Sequence, residues 1–158
     1  RHIIDTAPRP HHGHPVDMDG DGGVDLVMAI RGDTSEKLAL ETPGSQIAWY
    51  EQTAGGGWTK HVIAEEFHQA SEAVAADIDG DGQMGVVATA WGLEGRVAIF
   101  KHRGDPRGPW DMQILKSPWS KVAQPIIVDL DGDGRLDIVV CAERGSNELR
   151  WWRNLGPA

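Results

Sequence analysis

The sequence predicts an all-β fold made of repeated four-stranded antiparallel units. An aspartate-rich loop followed by an apolar run occurs three times, in VDMDGDGGVDLVMAI from Val16, ADIDGDGQMGVVATA from Ala76 and VDLDGDGRLDIVVCA from Val128. The first aspartates of these loops, Asp17, Asp77 and Asp129, are 60 and 52 residues apart, a spacing typical of repeat proteins. Short β-branched and aromatic runs separated by Gly, Pro, Asp and Ser indicate strands joined by turns.

Each unit divides into four predicted strands in chain order. The first strand precedes the acidic loop and ends in HPV from His14, VAA from Val74 and IIV from Ile126. The second is the apolar run after the loop, and its lack of alternation predicts that both of its faces are buried. The third strands are IAWYEQ from Ile47, VAIFKH from Val97 and LRWWRN from Leu149, and the fourth are WTKHVIAEEF from Trp58 and WDMQILKS from Trp110.

Units of this kind are the blades of a β-propeller, in which four-stranded sheets surround a channel. We expect one propeller segment with blades at about residues 10–64, 65–117 and 118–158. Residues 1–6, RHIIDT, match KHVIAE in the first unit, so we expect them to be the outer strand of another blade. Three blades cannot close a channel, so further blades of a longer chain or a homo-oligomer should complete it; two chains would give six.

The aspartate loops resemble those of the FG-GAP or VCBS repeat family, whose members form β-propellers with a calcium loop in each blade. The shared motif is D-x-D-x-D-G-x-x-D followed by an apolar strand, and the resemblance covers all three repeats. The FG-GAP tripeptides themselves are absent in strict form. The resemblance implies a calcium-stabilised propeller.

Calcium takes six to eight oxygen ligands, and alternating aspartates with intervening glycines can direct several carboxylates toward one ion. The predicted ligands are Asp17, Asp19, Asp21, the Gly23 carbonyl and Asp25 in the first loop; Asp77, Asp79 and Asp81 in the second; and Asp129, Asp131, Asp133, the Arg135 carbonyl and Asp137 in the third. Gly85 stands where the other loops have their last aspartate, so we expect weaker binding at the second loop.

Three other interpretations of the loops are weaker. An EF-hand needs a glutamate at its twelfth position, where this chain has Met28, Ala88 and Val140. Magnesium rarely occupies a site made only of protein ligands. Turn geometry explains a single Asp-Gly pair, but not eleven aspartates in three registered copies.

A ligand site is expected at the opposite end of the strands from the acidic loops, because the loops of a β scaffold commonly carry its binding residues. The predicted ligand-binding residues there are Arg31, Glu72, Trp91 and Trp119. The expected ligand is a carbohydrate or a protein, and the indoles suit stacking on a sugar ring.

A histidine cluster suggests an alternative, catalytic function. His12 and His14 alternate along an extended segment, and His68 or Glu72 from the next unit could join them to hold zinc. The chain has a weaker resemblance to the propeller domains of sugar-processing lyases and dehydratases such as aldos-2-ulose dehydratase. That resemblance implies a carbon–oxygen lyase in which His12, His14 or His68 removes a proton next to a sugar carbonyl. Otherwise these histidines form hydrogen bonds in a polar channel.

Composition excludes several partners. A net charge of −9 without a basic cluster argues against nucleic acid, and no apolar stretch is long enough to cross a membrane. The first residues contain neither a Met nor a signal peptide, so we expect a processed or excerpted chain. The single cysteine, Cys141, should be a small buried residue, and we expect the protein to be extracellular.

Overall fold

The computed structural model describes residues 1–33 and 41–156, which form eleven β-strands in three antiparallel sheets. Blade 1 contains β1 (Pro10–Val16), β2 (Asp25–Ile30), β3 (Gln46–Gln52) and β4 (Trp58–Glu65). Blade 2 contains β5 (Ala70–Ala76), β6 (Gly85–Ala90), β7 (Arg96–His102) and β8 (Trp110–Lys116). Blade 3 contains β9 (Val122–Val128), β10 (Asp137–Ala142) and β11 (Leu149–Trp152).

In every blade, consecutive strands pair with each other, which confirms the predicted all-β fold of an incomplete propeller. The third blade has three strands within the described residues, in agreement with the sequence pattern, which contains a fourth strand only in the first two units. No sheet closes on itself in the part of the chain that the structure describes. The same residues include no helix that is long and apolar enough to cross a membrane.

The apolar runs bury their side chains between neighbouring blades. Val27 and Trp49 of blade 1 pack with Val86 and Phe100 of blade 2 in one cluster. Val87, Val97 and Ile99 of blade 2 pack with Ile138 and Val140 of blade 3 in a second cluster. Blade 2 therefore has a neighbour on each side, which explains why all six residues of β6 are buried, as its continuous apolar pattern predicted.

The first strand of each blade is interrupted by a bulge at the same place. Pairing of β1 with β2 shifts between Pro10 and Gly13, and pairing of β5 with β6 shifts between Ala70 and Glu72. In blade 3 the shift lies between Val139 and Cys141, opposite residues 124–125. A bulge adds unpaired residues and changes the direction in which side chains point. All three bulges lie in the half of the strand that is farther from the acidic loop.

Residues 1–6 form no strand, but their side chains contact blade 1. The Tyr50 hydroxyl donates a hydrogen bond to Asp5 at 2.8 Å, and the Lys60 ammonium lies 3.6 Å from the same carboxylate. The hydrogen bond from Tyr50 lowers the pKa of Asp5. These contacts hold the segment near the outer face of blade 1, and its role as an outer strand of another blade stays a prediction.

Candidate metal loops and the cavity at the opposite end of the blades

The first aspartate of each acidic loop organises the turn that follows it. Asp17 accepts hydrogen bonds from the backbone N–H groups of Gly20 at 2.9 Å and Gly22 at 3.0 Å. Asp77 and Asp129 accept equivalent bonds in the other two loops, from Asp81 and Gly82 and from Gly132, Asp133 and Gly134. Gly22 has φ of 87°, a conformation that favours glycine. The loop backbone thus fixes the first carboxylate before any ligand binds.

The last aspartate of the first and third loops ties the loop to the end of the third strand. Asp25 accepts hydrogen bonds from Met18 N–H at 3.0 Å and Gln52 N–H at 2.9 Å, and it is only 2% exposed. Asp137 is fully buried and accepts from Leu130 at 3.1 Å and Asn154 at 2.7 Å. Burial raises the pKa of Asp25, whereas the hydrogen bond from Asn154 N–H lowers the pKa of Asp137. Both carboxylates therefore have a structural role in addition to any metal contact.

Three groups of carboxylates have a spacing that suits a metal ion. In each group, one oxygen from every member lies within 4.8 Å of the others; the groups are Asp17, Asp19 and Asp25; Asp77, Asp79 and Asp81; and Asp129, Asp131 and Asp137. Calcium–oxygen distances of about 2.3–2.6 Å place two ligands of one ion at most about 5 Å apart. The all-oxygen donor sets and their spacing therefore fit calcium.

Some predicted ligands have other partners. Asp21 accepts from the Gly23 N–H at 2.6 Å, and Asp133 accepts from the Arg135 N–H at 3.0 Å and also pairs with the Arg135 guanidinium. Neither Asp21 nor Asp133 belongs to the carboxylate groups with metal-binding spacing in the described chain. The backbone N–H groups of Gly23 and Arg135 donate these hydrogen bonds to Asp21 and Asp133, whereas the predicted metal ligands were the backbone carbonyls of Gly23 and Arg135.

Each loop also pairs with a basic side chain from outside it. Arg107 bridges Asp19 and Glu51, with 2.7 Å to the second carboxylate. Lys101 lies 2.6 Å from Asp79 and lowers the pKa of that carboxyl, and Arg153 lies 2.5 Å from Asp131. These cations partly offset the repulsion between clustered carboxylates.

The second loop differs from the others around Gly85. In place of a buried carboxylate, a small cavity of about 20 Å³ lies between Asp79, Asp81, Gln83 and His102. The ring nitrogens of His102 and the Oε1 atom of Gln83 are buried beside this cavity, and burial lowers the pKa of His102. No carboxylate stands at the position of Gly85, and Asp81 is the third member of the carboxylate group in this loop.

At the opposite end of the strands, all three blades contribute to one cavity of about 470 Å³. It is lined by Arg9, His11, Arg31, Gln69, Ser71, Glu72, Trp91, Ala123, Gln124, Cys141, Glu143 and Arg144. Three of the predicted ligand-binding residues, Arg31, Glu72 and Trp91, therefore lie in the same cavity. We call it the loop-face cavity.

The bulges of the first strands supply one wall of the loop-face cavity. His11, Ser71 and Gln124 lie at the three bulges and all line the cavity. Arg9, Gln69, Gln124 and Arg144 have left-handed φ angles of 56°, 58°, 55° and 52°. Such conformations are unfavourable for residues other than glycine and concentrate at functional sites. The sequence pattern did not reveal these conformations, and His11 was not among the predicted site residues.

The two tryptophans predicted to stack on a ligand lie in different surroundings. Arg31 and Lys121 lie over the Trp91 ring, at 5.4 Å and 5.9 Å from its centroid. Trp119 is 4% exposed, packs in the core between blades 2 and 3, and donates its indole N–H to Ser146. This burial does not fit the predicted role of Trp119 in stacking on a ligand. Trp91 holds cations at the edge of the cavity.

The predicted histidine cluster is divided between two places. His12 and His14 line a separate groove of about 430 Å³ formed by the first strands, together with Glu72. His68 lies elsewhere, where its Nδ1 accepts a hydrogen bond from the Thr42 N–H at 3.2 Å. In residues 1–33 and 41–156, the groups with metal-binding spacing contain aspartates and no histidine. The structure therefore does not assemble the zinc site that the sequence suggested.

Comparison with known families adds one finding. Residues 17–88 match the family model of the FG-GAP-like repeat. The chain carries an FG-GAP-like repeat. The match begins at the first aspartate of the first loop and extends through the second loop into β6, which confirms the resemblance seen in the sequence. No curated protein matches the chain.

In the third acidic loop, which repeats the aspartate pattern of the first loop, substitution Asp137→Ala should destabilise the fold even without metal. The N–H groups of Leu130 and Asn154, whose hydrogen bonds to Asp137 are partly buried, would lose their acceptor, at a cost of about 0.5–1.5 kcal/mol for each bond. Urea unfolding in the presence of EDTA would measure this loss. Asp111→Ala, at an exposed ion pair, is the control and should change stability by less than about 0.5 kcal/mol. Equal stabilities of the two variants would contradict the structural role of Asp137.

Proposed function

We propose that this protein is a calcium-stabilised β-propeller module that binds a carbohydrate in the loop-face cavity. The observation that carries the proposal is the meeting of three bulged strands, one from each blade, at a single polar cavity. Its volume of about 470 Å³ lies within the range of about 300–1,000 Å³ that is usual for small-molecule sites. A protein ligand is the alternative. The size of the cavity and its convergent polar groups favour the smaller ligand.

The proposed carbohydrate would be recognised through its hydroxyl groups. Glu72, Glu143 and Gln124 offer acceptors to sugar hydroxyls, and Arg31 and Arg144 offer donors. The catalytic alternative, a lyase or dehydratase using His12, His14 and His68, lacks comparable support because His68 lies apart from the groove that His12 and His14 share. Binding is therefore the proposed function.

Binding in the cavity is expected to depend on Glu72. The Glu72→Ala variant should reduce binding of a glycan at least about tenfold, since a buried hydrogen bond from the ligand to a charged group contributes about 1.5–3 kcal/mol. A glycan array with calcium present would identify the ligand, and calorimetry would compare the variants. Glu65→Ala on β4, outside the cavity, is the matched control. An identical loss in both variants, or a folded wild type that binds no glycan, would contradict the proposal.

Calcium is proposed at the acidic loops because their oxygens have suitable spacing and preorganised carboxylates. A titration is expected to find two tight sites, at the first and third loops, and weaker binding at the second, which lacks the last aspartate. Saturation at a hundredfold excess over Kd should add about 2.7 kcal/mol of stability for each site, measured by thermal unfolding with and without EDTA. Asp129→Asn should remove one tight site, whereas Asp111→Asn should remove none. Three equal sites, or an unfolding temperature insensitive to calcium, would refute this assignment.

We also propose that two copies of the chain associate through the outer faces of blades 1 and 3. On blade 3, Leu149 is 74% exposed and Trp151 is 46% exposed, although the equivalent Val97 and Ile99 of blade 2 are buried against a neighbour. Trp151 pairs with Val139 of β10, just as Ile99 pairs with Val87 of β6, so Trp151 and Ile99 occupy equivalent positions in their blades.

Blade 1 offers the complementary surface. Its Ala48 and Tyr50 occupy the positions of Ala98 and Phe100, with which blade 2 packs against blade 1. Both residues are already buried beside Asp5 and Ala7, so a second copy would pack on blade 1 together with, or in place of, this first segment of the chain. Residues equivalent to both halves of a blade-to-blade interface therefore occur in one chain, exposed on blade 3 and covered by the first residues on blade 1. A second copy would cover one apolar face with the other, and the two together would supply six blades.

Light scattering should accordingly give a mass of twice the 17.2 kDa chain at micromolar concentration. Trp151→Glu should shift this mass to that of the monomer, because a charge would be placed in the apolar interface. Met112→Glu, at a residue of β8 that is 49% exposed, is the control and should leave the dimer intact. A wild-type monomer at all concentrations would rule out the second copy as the partner of this face.

A further inference from the structure

The loop-face cavity concentrates positive charge in an acidic protein. Three of its lining residues are arginines, Arg9, Arg31 and Arg144, against two glutamates, Glu72 and Glu143, whereas the chain as a whole carries a net charge of −9. The arginines come from the start of the first blade, the end of β2 and the end of β10. Folding therefore brings together cations that are far apart in the sequence.

Arg31 is the most constrained of these cations. Its Nε atom is buried and has no hydrogen-bond partner, and its guanidinium forms no ion pair with the residues that the structure describes. Burial lowers the pKa of Arg31, and the nearby charge of Arg9 lowers it further. An arginine keeps its charge in proteins, so this cation is partly removed from water without an anion to compensate it.

The surrounding residues fix the position of the Arg31 guanidinium. Its centre lies 5.4 Å from the centroid of the Trp91 ring, a cation–π distance. The Arg31 N–H donates to the Arg9 carbonyl at 3.1 Å, and the Gly32 N–H donates to Pro8 at 3.2 Å. Gly32 has φ of 87°, and a Cβ atom there would lie 2.7 Å from the Thr42 carbonyl oxygen, so this turn requires glycine. The cation is therefore held at the cavity before a ligand binds.

We propose that the loop-face cavity selects a carboxylate-bearing saccharide, a uronic acid unit, with the carboxylate on Arg31. The inference rests on the proposed function and adds the chemical class of the ligand. An anion on Arg31 would compensate the buried charge, and a planar carboxylate matches the geometry of a guanidinium. Glu72, Glu143 and Gln124 on the other walls accept hydrogen bonds, which suits the hydroxyl groups of the same ring rather than a second anionic group.

The decisive experiment compares acidic and neutral sugars on the 158-residue chain. Isothermal titration calorimetry with D-glucuronate, D-galacturonate, D-glucose and acetate should show binding of at least one uronate and at least tenfold weaker binding of glucose and acetate. Higher salt should weaken uronate binding, because an ion pair contributes to it. A trisaccharide of the same uronate separates the two sources of this ligand: a higher affinity than the monosaccharide indicates a polysaccharide end, and an equal affinity indicates the free sugar.

Variants at Arg31 provide the second readout. Arg31→Gln should reduce uronate binding at least tenfold and remove its salt dependence, and Arg31→Lys should retain part of the binding because it keeps the charge but not the planar fork. Arg103→Gln, at a guanidinium that is 82% exposed and outside the cavity, is the matched control. Circular dichroism and thermal unfolding would establish that each variant is folded.

The outcomes separate this inference from the proposed function. Equal binding of glucose and glucuronate, or full uronate binding by a folded Arg31→Gln variant, would overturn the acidic selectivity and leave carbohydrate binding standing. Equal binding of acetate and uronate would show that the cavity binds simple anions, and would overturn the assignment of a saccharide ligand. A folded wild type that binds no saccharide at all would overturn both.

Discussion

The structure depends on the burial of apolar strand faces between adjacent blades. The second and third strands of each blade carry apolar side chains on both faces, so a single blade exposes more apolar surface than it can cover by itself. Blade 2 is covered on both sides, and its strand β6 is completely buried. Blade 1 buries Trp49 against blade 2 and Tyr50 beside the first residues of the chain, whereas blade 3 buries Val140 toward blade 2 and leaves Trp151 exposed on its outer face. Stability therefore arises from contacts between repeats more than within them, as in other repeat architectures.

Because the blades are held together by their apolar faces, the loops at the two ends of the strands can have different functions. At one end, the buried carboxylates of Asp25 and Asp137 connect the acidic loops to the ends of the third strands through partly buried hydrogen bonds. At the other end, the bulged first strands and the loops after the second strands surround a polar cavity. A ligand at the cavity would rest on a scaffold that is fixed from the far side, because both ends belong to the same strands.

The repeat made most of the fold predictable from sequence. Three registered copies of one motif located the acidic loops, and the four short runs in each copy located strands such as β6, whose bounds agree with GVVATA. The same reasoning placed Arg31, Glu72 and Trp91 at one end of the blades. The repeat pattern does not show which loop side chains are buried, so Trp119 was predicted to face a ligand although it packs in the core. It also did not single out His11 as a site residue, because a bulge changes which side of a strand a residue faces and cannot be recognised from the composition.

The bulges also have a consequence for how the protein can change over evolution. An extra residue in the first strand reverses the alternation of side chains, so the segments before and after it follow separate patterns of inward and outward positions. Substitutions near Ser71 or Gln124 can therefore alter the chemistry of one end of a blade without shifting the register that places Asp77 or Asp129 at the other. The bulges therefore separate the acidic-loop end of each blade, where the register must be kept, from the cavity end, where the side chains can vary.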